Sequence, residues 1–156
     1  MASQITVRDR TAVDWALLIA RIIVGGVFMA HGAQKLFGAF GGPGLSAVAQ
    51  MMGPLGYFVT VGEFFGGLGL VVGFLSRFSA ASITLIMLGA IAMVHAKVGF
   101  FMNWTGKQAG EGFEYHLLAI AVLLTIVIAG PGGFAIGRLL PLPKRKGTDR
   151  PVAILE

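Results

Sequence analysis

Apolar residues run along this chain in four long blocks, 15–37, 55–75, 78–98 and 114–137, each interrupted by few charges. Each has roughly the length that a helix needs to cross a hydrocarbon core of about 30 Å. None shows the alternation over about ten residues that a closed barrel requires, and unpaired backbone groups forbid most other spanning structures. The pattern predicts an all-α membrane protein, an antiparallel bundle of four transmembrane helices.

The connections refine that picture. The second and third blocks join through Ser76 and Arg77, a tight turn that makes them antiparallel neighbours. The first block leads into the Gly/Pro cluster FGGPG, after which Leu45, Val48, Ala49 and Met52 recur at i, i+3, i+4, i+7. That spacing predicts a short amphipathic helix lying along the membrane interface. The loop before the fourth block holds Phe100, Phe101 and Trp104, suited to an interfacial aromatic belt. Within the second block Gly62, Gly66, Gly69 and Gly73 form one small-residue stripe, which fits close packing inside the bundle or a homo-oligomer face.

Composition agrees with a membrane class. The 156 residues are 56% hydrophobic and 12% charged, which excludes an ordinary soluble domain. The net charge of +5 is dispersed in short pieces between apolar blocks, the way orientation is encoded, so the expected partner is the lipid bilayer and no nucleic acid is expected. Arg8, Arg10, Arg77, Arg138, Lys144, Arg145, Lys146 and Arg150 fall on one side, against Lys97 and Lys107 on the other, with Lys35 at a helix end. Both termini are thus expected in the cytoplasm, as an N-terminal segment over 1–14 and a basic tail over 138–156. Arg8 and Arg10 precede the first block as in a signal sequence, but that block carries Arg21 and three more follow, so it is expected to be an uncleaved span. The chain has no cysteine, which excludes thiol chemistry and cysteine-held cofactors; any redox role must use a borrowed cofactor.

Charge inside the spans marks candidate chemistry, because an ionisable group in hydrocarbon is costly without a partner or cavity. The first block carries Arg21, His31 and Lys35. His31 and Glu63 of the second block fall at similar depth in the outer half, with His95 ending the third block and Glu114 and His116 opening the fourth. The convergent reading is an outer polar pocket of His31, Lys35, Glu63, His95, Glu114 and His116, suited to proton exchange, to hydrogen bonding a quinone carbonyl or to ligating a metal. A purely structural network neutralising Glu63 uses the same residues. Imidazoles also leave haem, zinc or copper open, although no close pair of histidines or carboxylate triad supports them. Arg21 lies about 15 Å from His31 along the helix axis and has no carboxylate at its level, which leaves backbone carbonyls, water or lipid phosphate as partners.

The runs LLIARIIVGGVFMAHGAQKLFG, FGGPGL, VGEFFGGLGLVVGF and GFEYHLLAIAVLLTIVIAGPG together resemble the DoxX family of small four-helix membrane proteins. By that resemblance Arg21, Gly32, Lys35, Glu63 and Glu114 match motif positions, and His31 stands in the His-Gly pair. The segment Gly133, Phe134, Ala135, Ile136, Gly137 departs from the Ser-Leu-Asp type sequence that commonly follows Gly-Pro-Gly in the family. The family resembles the membrane subunit of a thiosulfate:quinone oxidoreductase, and other members look like membrane partners of redox and detoxifying enzymes. The implied function is a multi-pass subunit of an oxidoreductase system in the bacterial inner membrane, working with a partner redox enzyme and binding a quinone. Glu63 and His31 would be the catalytic proton carriers, and Arg21, Lys35, His95, Glu114 and His116 the ligand-binding residues. A non-enzymatic docking or assembly subunit and a small transporter or channel are the alternative expectations.

Overall fold

The structure is a computed structural model and describes residues 7–139. Five α-helices occupy them: α1 Val7–Phe37, α2 Gly44–Met52, α3 Pro54–Val72, α4 Ser76–Met93 and α5 Glu114–Ala129. Single 3₁₀ turns stand at Ala39–Gly41, His95–Lys97 and Ile136–Leu139, and no strand occurs among the described residues. The expected basic run Lys144, Arg145, Lys146, with Arg150, lies outside the described residues.

Three helices are long and apolar enough to cross a membrane, over Arg10–Phe37, Pro54–Val72 and Ser76–Met93. The fourth apolar helix, α5, has 16 residues and a length of about 24 Å. It stops at Ala129, eight residues or so short of the expected boundary, for a local reason: Gly130 adopts φ 85 and Pro131 follows, which ends helical bonding. The remaining residues, Pro131 to Gly137, fold back beneath the bundle instead of extending it.

Two other boundaries differ from the sequence pattern. The turn between the second and third spans lies at Gly73–Leu75, with Ser76 and Arg77 already in the first turn of α4. Gly73 takes the left-handed conformation at φ 77, and its N–H and that of Phe74 donate to the Leu70 and Gly69 carbonyls, closing α3 with a Schellman pair. Helix α4 ends at Met93, where Val94 leaves helical geometry, and the His95 carbonyl then accepts from the Val98 and Gly99 amides to form the separate turn.

α1 packs chiefly on α3, α4 packs between α3 and α5, and α1 closes the ring with a slight contact to α5. Glycines permit the first of these contacts. A methyl on Gly25 would stand 2.7 Å from the Gly67 carbonyl oxygen, and one on Gly67 2.6 Å from the Gly25 carbonyl oxygen, so the two backbones nearly touch. The stripe Gly62, Gly66, Gly69 faces α4, where added methyls would meet Ile86, Ile83 and Ser79 Oγ respectively. Gly73 faces Arg21 and Ala135. Close packing inside the bundle thus occupies the stripe, the first of the two uses expected of it. The short helix expected after the first span is present as α2; it buries Val48 and leans on α3 and α1.

Candidate functional site

The end of the bundle formed by the C-terminal halves of α1 and α4 and the N-terminal halves of α3 and α5 encloses a cavity of about 650 Å³. Its walls are mostly apolar, with Phe28, Met52, Val59, Ile86 and Met87 among them, and its polar groups are few: His31, Lys35, Glu63, His95, Glu111, Tyr115 and His116. An apolar slot with a small set of convergent polar groups is the usual form of a small-molecule site.

Helical spacing puts His31 and Lys35 on one face of α1, one turn apart. From there Lys35 Nζ donates to Glu63 Oε2 across the α1–α3 contact. Glu63 is 4% exposed, so the ammonium supplies the counter-charge that its burial demands. The close approach of α1 and α3 at Gly32, whose added methyl would collide with the Phe64 backbone, brings these two side chains within reach.

On the opposite wall His95 and His116 face one another, with ring centroids 4.1 Å apart and planes tilted by 42°. His95 Nδ1 donates to the Glu111 carbonyl at 2.8 Å; because a carbonyl only accepts, Nδ1 carries a proton. His116 is buried, and its Nδ1 has no hydrogen-bond partner among the described residues. No group of three His, Cys, Asp or Glu side chains with metal-binding geometry occurs among the described residues.

Glu114, expected in this pocket, and Arg21, expected to bind the ligand, both lie elsewhere. Glu114 opens α5 with its carboxylate turned to the preceding loop, where Oε1 accepts from the Met102 amide at 2.9 Å and the Trp104 indole at 3.0 Å. It braces that loop together with Glu111, whose Oε2 accepts from the Asn103 amide at 2.7 Å. Arg21 is fully buried at the other end of the bundle, where its guanidinium donates to the Leu70 carbonyl at 3.0 Å and the Phe134 carbonyl at 2.9 Å. It therefore closes the α3 C-terminus and holds the segment after α5, and takes no part in the cavity. Two cavity residues had no place in the sequence reading. Tyr115 stands between Glu114 and His116 and reads as one more aromatic of an apolar helix; Glu111 reads as a loop charge.

The DoxX family profile matches residues 16–96, more than half of the chain, from α1 through the turn after α4. The chain is also similar to Inner membrane protein YqjF of Escherichia coli (strain K12), at 29% identity over 130 residues, which cover 81% of this chain and 93% of that relative. No solved structure matches.

Proposed function

The chain belongs to the DoxX family, and from that premise we propose that it is an inner-membrane subunit of an oxidoreductase system whose cavity receives a quinone or a similar amphipathic redox molecule. The cavity itself carries the reading: an apolar slot of about 650 Å³ lined by the half-buried Lys35 and the buried Glu63 that it pairs with, beside imidazoles and a phenol. The name of the E. coli relative supports the inner-membrane placement. Quinone carbonyl oxygens accept hydrogen bonds, and the Lys35 ammonium and Tyr115 hydroxyl are donors on the wall that would hold them. Reduction to the hydroquinone consumes two electrons and two protons; Glu63 and His31 carry the protons, and a partner enzyme supplies the electrons, this chain having no cysteine to hold an iron–sulfur cluster or a dithiol. Transport is disfavoured by the opposite half of the bundle, where Leu70, Ile83, Leu123 and Ile126 are fully buried in a packed core.

The test is titration of the purified protein with decylubiquinone. Saturable binding is expected, weakened at least tenfold in Glu63→Gln and in Tyr115→Phe. Binding that is absent from the wild type, or equal in all three proteins, defeats the proposal.

A further inference from the structure

One face of α3 changes character along its length. Stepping back from Gly73 through Gly69, Gly66 and Gly62, the same face continues to Phe58 and Leu55. The facing stripe of α4 runs from Ser79 through Ile83 and Ile86 to Ala90 and Met93. Where α3 offers glycine, the helices are zipped together: methyls added at Gly66 and Gly62 would stand 3.2 Å and 2.6 Å from Ile83 and Ile86. Beyond Gly62 the seam ends. A methyl at Gly89 would meet nothing within 4 Å, and Phe58, Leu85 and Met93 line the cavity while remaining 75%, 70% and 58% exposed. These side chains are both the wall of the cavity and part of the bundle's outer, lipid-facing surface. The cavity therefore opens sideways, through a cleft between α3 and α4.

Building on the reading of this cavity as an amphiphile site, we infer that the α3–α4 cleft is a lateral portal that holds one hydrocarbon chain of a membrane-dissolved ligand, with the ligand's polar head at Lys35 and Glu63. Three features of the cleft converge here. Glu63 is buried on the α3 wall with Lys35 donating to it, whereas Phe58, Leu85 and Met93 at the α3–α4 cleft are apolar and exposed, so a ligand with one polar and one apolar end is oriented with its head at Glu63 and its chain in the cleft. Phe58 lies about 6 Å from the outer end of α3, within the depth of acyl chains. The seam on one side and the packed core beneath close two directions to the chain. The site thus selects ligands that partition into lipid and disfavours chainless analogues that arrive from water.

Chain-terminal photolabelling tests this in the full-length protein, reconstituted in phosphatidylethanolamine/phosphatidylglycerol nanodiscs. One probe is an alkyl ubiquinone with a diazirine at the chain end; the other is an alkyl alcohol with the same diazirine and no quinone head. Adducts of the quinone probe are expected to concentrate at least fivefold on Phe58, Leu85, Gly89 and Met93 over the lipid-facing Ile23, Leu118 and Ile128. Gly89→Phe, which fills the mouth, is expected to bring portal labelling down to that background with thermal unfolding unchanged; Leu85→Trp serves the same purpose should Gly89→Phe fail to fold. If the headless probe labels the four portal residues equally well and decylubiquinone does not compete, the portal stands and the quinone reading falls. Even labelling of portal and lipid-facing residues by both probes, or portal labelling that survives a folded mouth-filling variant, overturns the portal.

Discussion

The two ends of this bundle treat buried charge in opposite ways. At the Arg21 end the guanidinium is fully enclosed and donates to carbonyls of two segments, Leu70 at the end of α3 and Phe134 beyond α5. The same region ties the Gly133 amide to Asp14 at 2.6 Å and the Gly137 amide to the Gly73 carbonyl at 3.1 Å, and packs Trp15 against Phe134 in a tilted ring contact at 4.7 Å. At the cavity end Lys35 and Glu63 satisfy one another, while His31, His95, Tyr115 and His116 line open space. Charge used to join backbone makes a clasp; charge left facing a cavity makes a site. The polar residues of one membrane protein can thus divide between architecture and chemistry, and the division follows what they bond to.

That contrast can be broken by substitution. The largest effect is expected from Arg21→Ala, which strips charged donors from two carbonyls and leaves a cavity, for a cost of about 3–5 kcal/mol. Denaturant titration in micelles measures it, and a wild-type midpoint would show that the clasp does not hold the fold. Decylubiquinone affinity of the remaining folded fraction should be unaltered, since Arg21 does not line the cavity. Gly67→Leu comes next, at about 3 kcal/mol, because the side chain must push α1 off α3. Unlike Arg21→Ala it also weakens ligand binding, as the displacement draws Lys35 from Glu63.

A third comparison lies within the site. In a double-mutant cycle of Lys35→Met and Glu63→Gln, unfolding free energies should reveal a coupling of about 1–3 kcal/mol; additive effects would mean that the pair is not formed in the membrane. The smallest effect has the opposite sign. Gly89→Ala adds a methyl where there is room and relieves a helical glycine, so it should stabilise by about 0.5–1 kcal/mol, whereas Gly25→Ala in the tight α1–α3 contact should destabilise. Equal signs for these two alanines would erase the distinction between a slack end and a packed one.

Much of this was readable in the chain. Hydrophobic block lengths marked the helices, and the glycine stripe marked a close helix contact. Depth along the spans grouped His31, Lys35, Glu63, His95 and His116. Depth says nothing of azimuth or of loop shape, which is why Glu114 fell in the wrong set: its carboxylate answers to the Met102 amide and Trp104 indole, partners fixed by a loop without periodic pattern. Arg21 shows another blind spot. Backbone carbonyls are present in every residue, so nothing in the sequence distinguishes Leu70 and Phe134 as acceptors. Tyr115 was hidden by its surroundings, since a lone phenol in an apolar helix resembles any other aromatic until the cavity beside it is seen.

The clasp also has a consequence for the order in which the protein is made. Arg21 and its acceptor at Phe134 are separated by 113 residues, and synthesis runs from the N-terminus. Arg21 enters the bilayer with the first helix, but the Phe134 carbonyl emerges only after all of α5 has been translated. For most of its biogenesis the chain therefore carries a buried cation whose bonding is incomplete. A chain ending at Ala129 would keep every apolar helix and never complete it.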